Sequence, residues 1–175
     1  MSNLLSSSHA EASALSRELR ESDDANVERR RGVVALALLA AGAMGVIALY
    51  QTGITKHLPE PQFPKLDADK VDASAEAYQM LDTSDAVLGF SSYAVTMALA
   101  AAGSADRATR QPWLPLALAG KVAIDVFQAA RLTIHQWTEH RAFCSWCLLA
   151  AAATFVMAPL VIPEARTALR QISRS

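Results

Sequence analysis

Three stretches of this chain carry no acidic or basic side chain: residues 32–55, 86–105 and 142–163. Each is long enough for an α-helix to cross a hydrocarbon core, which takes about 20 apolar residues. A soluble bundle would leave such helices a polar face, and these three have almost none. A fourth apolar stretch, 113–134, is less pure. Lys121 and Asp125 lie in its middle, with Gln128 and Arg131 nearer its end. Pro112 and Pro115 open it where proline is tolerated in a first helical turn, and a crossing here keeps every loop on a consistent side. The pattern therefore predicts an all-α membrane protein, a multi-pass four-helix bundle with spans at about 33–50, 85–102, 112–135 and 143–163 of a domain running from 32 to 165.

The remaining segments read as connections. Residues 1–31 are rich in Ser, Glu and Arg and predict a mobile, disordered polar tail with some helix from Ala10 to Arg30. The polar segment 52–84 has three prolines between His57 and Pro64. Val71, Ala75, Tyr78 and either Met80 or Leu81 then recur at helical spacing. That predicts a short helix lying on the outer face of the bundle. Asp82, Thr83 and Ser84 are N-cap candidates for the second span. Residues 166–175 form a basic tail.

Net charge is only −1, which gives no reason to expect a nucleic-acid partner. The placement of charge is more informative. With the N-terminus inside, the inner segments hold Arg17, Arg20, Arg29, Arg30, Arg31, Arg107, Arg110, Arg166, Arg170 and Arg174. The outer segments hold Lys56, Lys65, Lys70 and Arg141. Positive charge concentrates on the cytoplasmic side of membrane proteins, so both termini are expected there. The first apolar run exceeds a signal core of about 7–15 residues and follows 31 polar residues, as an anchor would. Trp137 and Trp146 flank the last outer turn, where aromatic side chains favour the membrane–water interface.

Within this frame the chain's two cysteines fall at the outer end of the fourth span, in Phe143-Cys144-Ser145-Trp146-Cys147-Leu148. Cysteines at i and i+3 share a helical face and are close enough for a disulfide or a common ligand. A helix N-terminus, with His140 and Arg141 nearby, favours a thiolate at Cys144. The outer compartment of a bacterial cell is also the oxidising one. Three readings follow: a redox pair, two small core residues, or a zinc or copper site that adds His135 and His140 to the cysteines.

Lys121, Asp125, Gln128 and His135 are spaced by 4, 3 and 7 residues and so share one face of the third span. Ionisable groups at membrane depth turn inward. The stripe predicts either a proton path or an ion pair that pins helices together. Lys before Asp is the weaker order for a pair within one helix, which hints at partners on another.

Two motifs in this layout resemble the vitamin K epoxide reductase family, four-helix membrane oxidoreductases that pass electrons between thiols and a quinone. Asp85-Ala86-Val87-Leu88-Gly89-Phe90-Ser91-Ser92-Tyr93 is similar to the start of that family's second span. Cys144-Ser145-Trp146-Cys147 resembles its redox pair at the start of the fourth. The resemblance covers residues 82–163. It implies that Cys147 is the cysteine nearer the quinone and Cys144 the one that exchanges with a partner disulfide. It also puts Asp85 where vertebrate members have an asparagine that bonds a quinone oxygen. Phe90, Tyr93 and Trp146 are candidates to line an apolar ring site.

This chain departs from the pattern in three ways. Residues 52–84 lack the second cysteine pair that relays electrons, no thioredoxin-like domain is expected, and Ala151 stands where a tyrosine is expected one turn past the second cysteine. The expected function is a quinone-linked thiol–disulfide oxidoreductase in the bacterial inner membrane. Its expected partners are a membrane quinone and a separate thiol carrier protein or small thiol, and no metal is expected. The alternatives are a non-catalytic scaffold or quinone-binding derivative, and a metal-handling membrane protein.

Overall fold

The computed structural model describes residues 2–73 and 83–174. Among these residues it is all-helical, with no strand and one isolated parallel bridge between Leu66 and Phe143. The helices are α1 (Ser2–Glu21), α2 (Ala25–Gln51), α3 (Ala68–Asp72), α4 (Asp85–Ala101), α5 (Arg107–Arg110), α6 (Trp113–His135) and α7 (Ser145–Ile172). A π-helical turn, Gln136–His140, continues α6. Three helices are long and apolar enough to cross a membrane: α2, α6 with its π turn, and α7. The apolar α4 is shorter, at 17 residues.

Helices α2, α4, α6 and α7 build one apolar core around Ala37, Ala40, Ala41, Tyr93, Leu118, Val122, Ala153 and Met157. The alanines let backbones approach closely. Gly89 extends this, because a Cβ there would lie 2.8 Å from Met44 Sδ on α2. Bulky apolar side chains also cover the outside, among them Leu38, Ile124 and Phe127, the last 68% exposed. Apolar side chains on both the inner and outer faces suit a lipid surrounding.

Several boundaries differ from those the hydropathy pattern predicts. The polar N-terminal segment is helical over Ser2–Glu21 rather than disordered. Helix α2 starts at Ala25, because the Asp24 carboxylate caps it by accepting from the amides of Asn26 and Val27 at 2.8 and 3.1 Å. Helix α7 runs through Pro159 and Pro163 to Ile172, so the basic tail continues the last helix. The helix expected over 71–81 is described only as Ala68–Asp72, since residues 74–82 lie outside the described set. Ser84 takes the N-cap position of α4, but its hydroxyl bonds Gln51 Oε1 instead of the helix amides.

At the end of the molecule away from the cysteines, two arginines close the C-terminus of α4. The Arg30 guanidinium donates to the carbonyls of Ala100, Ala102, Gly103 and Ser104 at 2.8–3.0 Å. Arg107 is fully buried. It donates to Leu99 O at 2.7 Å and forms a two-pronged pair with Glu164 of α7, both contacts 2.8 Å. The final carbonyls of a helix have no partners within it, and the cations here satisfy them along the favourable direction of the helix dipole. Two of the ten arginines expected on the inner side are thus internal fastenings rather than free surface charge.

Candidate functional site

Cys144 is the N-cap of α7. Its sulfur accepts the Cys147 amide at 3.2 Å, a position usually held by Ser, Thr, Asp or Asn. Its own amide donates to Gln136 Oε1 at 3.1 Å, and the π turn is what carries Gln136 to that place. Cys144 is 0% exposed and Cys147 is half-buried; both thiols are free.

The segment between α2 and α4 covers the pair. Glu60 accepts the Ser145 amide with one carboxylate oxygen and the Ala68 amide with the other, each at 2.7 Å. Trp146 Nε1 donates to Pro59 O at 2.8 Å, and Lys65 and Asp67 exchange backbone hydrogen bonds with Phe143 at 2.8 and 3.0 Å. Together these contacts seat α3 directly over the cysteines. Asp72, at the end of α3, is 4% exposed, and the Cys147 thiol donates to its Oδ1 at 3.6 Å. Its Oδ2 is buried with no hydrogen-bond partner. Burial raises the Asp72 carboxyl to about 6, against the opposing influence of the Cys144 and Cys147 thiols beside it; the nearby Asp85 and Glu60 carboxylates add to the rise.

Beyond Cys147 lies a cavity of about 520 Å³, within the range that takes a small-molecule ring. Met44, Ile47, Leu88, Ile124 and Leu132 give it apolar walls. Asp72, Asp85, Tyr93 and Cys147 border it, and Lys121, Asp125, Gln128 and His135 all face it from α6. Asp85 is held by Gln51, whose Nε2 donates to it at 2.8 Å. Tyr93 is buried, its hydroxyl 2.8 Å from Thr154 Oγ1. Lys121 and Asp125 pair with each other, with Nζ 2.6 Å from both carboxylate oxygens, and each also bonds Ser92 and Thr96 of α4.

Two expected ring-site residues lie elsewhere. Phe90 is 47% exposed on the flank of α4 beside Gly45. The phase of α4 turns Gly89 and Tyr93 to the cavity instead. Trp146 packs under Pro59 rather than lining the cavity. Arg141, expected to assist a thiolate, sits 5.8 Å over the Trp137 ring. The ligand set of two histidines and two cysteines does not assemble. His135 and His140 meet edge-on at 5.8 Å, and among the described residues the ligand atoms that gather within 4.8 Å of one another are those of Asp72, Cys144 and Cys147. Sequence reasoning missed Asp72, Gln51 and Glu60, which are brought in by docking across the fold.

An all-helical chain with three apolar helices of membrane-crossing length, and with a dithiol beside an amphiphilic cavity, has the make-up of a membrane redox protein. The family profile described as "Vitamin K epoxide reductase family" matches residues 32–162, and the chain belongs to that family. This is a membrane family of oxidoreductase character whose members in general use quinones and thiol–disulfide partners. No curated protein and no solved structure matches the chain significantly.

Proposed function

We propose that this protein is a multi-pass membrane thiol–quinone oxidoreductase. Cys144 and Cys147 are its redox pair, at the outer face, and both termini are cytoplasmic. The observation that carries the reading is the cavity. Cys147 opens onto a space of ring-binding size whose walls are apolar on one side and polar on the other.

Reducing a quinone to a hydroquinone takes two electrons and two protons, and a dithiol supplies both as it becomes a disulfide. Cys147 borders the substrate space, and Cys144 stands behind it as the thiol that completes the disulfide. The Cys147 amide donates to the Cys144 sulfur at the start of α7, which holds the two thiol-bearing residues in one turn. Asp85, fixed by Gln51, presents a polar atom to a ring oxygen. Tyr93 closes the space on the side of α4, and the stripe from Lys121 to His135 offers a polar route along α6. Electrons are restored by a separate thiol carrier protein or small thiol that reaches Cys144 once the cover at Glu60 moves aside.

The test is thiol counting by alkylation and mass spectrometry on reduced protein, before and after a lipid-soluble quinone is added. The expected result is loss of both free thiols with formation of one hydroquinone. A pair that stays reduced would sink the proposal. A non-catalytic scaffold is the second reading, and the complete enclosure of Cys144 favours it. It requires that replacing both cysteines with serine leave function intact.

A further inference from the structure

We infer that the reduced pair, together with Asp72, forms a capture site for a thiophilic divalent cation of the zinc class. Their three ligand atoms lie within 4.8 Å of one another, and all three residues are held from separate directions. Asp67 caps α3 by accepting the Lys70 amide at 3.0 Å, Glu60 accepts the Ala68 amide, and the Asp72 carbonyl accepts from Gln51 at 3.3 Å. The α3 backbone that carries Asp72 is therefore fixed beside the sulfurs, and the Cys147 thiol meets the carboxylate at 3.6 Å. A buried carboxylate oxygen without a partner is costly, and a cation between Asp72 and the two sulfurs would relieve that cost.

The donor set selects the metal. Two sulfurs and one oxygen suit a borderline-soft, tetrahedral ion, whereas magnesium and calcium need six or more oxygens. Zinc–sulfur bonds of about 2.3 Å put tetrahedral ligands roughly 3.7 Å apart, so the cluster needs to close by about 1 Å at most. Asp72 and Cys147 both border the cavity, which leaves a fourth position for water. Binding releases the two thiol protons to solvent and moves no electrons. Cys144 as a thiolate still accepts the Cys147 amide. With both sulfurs held by the metal, the dithiol cannot close to a disulfide, so the ion acts as a brake on the pair. The inference shares its cysteines with the redox reading but needs no quinone.

The experiment loads full-length protein, reduced with a phosphine and held in lipid nanodiscs, with zinc chloride. The sample is desalted and its metal counted by elemental mass spectrometry, with competition against a chromophoric chelator. The expected result is one zinc per reduced chain, none after oxidation, and at least tenfold weaker retention in Asp72→Asn. His135→Ala and His140→Ala should not change it. X-ray absorption on the zinc-loaded wild type should count two sulfur neighbours, which keeps the test independent of how the variant folds. Zinc retained equally by a Cys144→Ser/Cys147→Ser chain, or as tightly by a folded Asp72→Asn chain, overturns the site. A pair inert to quinone would defeat the redox reading and leave this one standing.

Discussion

Glu60 bonds the Ser145 amide at 2.7 Å, and through its second oxygen it ties the same spot to Ala68. One carboxylate thus joins the covering segment, α3 and the first turn of α7 directly over the buried sulfur. Charge-assisted hydrogen bonds of this kind contribute about 1.5–3 kcal/mol each. Glu60→Ala is therefore expected to speed alkylation of Cys144 by at least tenfold at equal Cys147 reactivity. Site-resolved mass spectrometry of the modified peptides reads this out, and an unchanged rate would show that the cover is held elsewhere.

The two cysteines should differ sharply in access. Cys147 borders the cavity, whereas Cys144 is enclosed. In Cys144→Ser, the remaining thiol is expected to react with a small lipid-soluble maleimide at least ten times faster than the remaining thiol of Cys147→Ser. Stopped time points on the two single variants decide it.

Arg107 and Glu164 form a fully buried pair that also holds the end of α4. Removing one partner of such a pair strands the other and typically costs about 3–5 kcal/mol. Arg107→Ala and Glu164→Ala should each lower the thermal midpoint in detergent markedly, while Arg166→Ala, which is exposed on the same helix as Glu164, should not.

Gly103 adopts φ +79°, and a Cβ there would sit 3.0 Å from Leu114 Cδ1 and 3.1 Å from Arg107 Cβ. Gly103→Ala combines backbone strain with a clash against the same fastening. A loss of about 1–3 kcal/mol is expected, again read from thermal unfolding.

Lys121 and Asp125 are satisfied by each other and by Ser92 and Thr96. Asp125→Leu alone should destabilise the fold by several kcal/mol, at about the 3–5 expected for stranding one charge, and Lys121→Met added to it should recover most of the loss. If the stripe carries protons as proposed, that double variant folds but turns over quinone at least tenfold more slowly. Full turnover in the double variant would leave the pair a purely structural role.

Much of this architecture could be read from local pattern. Uncharged runs of membrane length became α2, α4 and α7, and the spacing of Lys121, Asp125, Gln128 and His135 placed them on one wall of the cavity. Cys144 and Cys147 fell at a helix start, as their position after a polar turn suggested. What escaped was set by docking and helical phase. Asp72 is an ordinary acid in a polar connection, and contacts distant in sequence, among them the Leu66–Phe143 bridge, the Glu60–Ser145 bond and the Gln51 contact, bring it beside the thiols. Phe90 and Tyr93 are three residues apart, and their separation between flank and cavity depends on how α4 is rotated against α2. Arg30 and Arg107 read in the sequence as free positive charge, yet both cap carbonyls at the end of α4, a role that depends on contacts distant in the fold.

The Cys144 sulfur that the proposed disulfide would use is the same atom that caps the start of a helix. While Cys144 stays reduced, its Sγ occupies the hydrogen-bonding place that begins α7. In the proposed disulfide that sulfur would be bonded to Cys147, the same residue whose amide it accepts at the start of α7. Oxidation of the pair is therefore expected to alter the first turn of α7, a change that amide hydrogen exchange of residues 145–148 in reduced and oxidised protein would read.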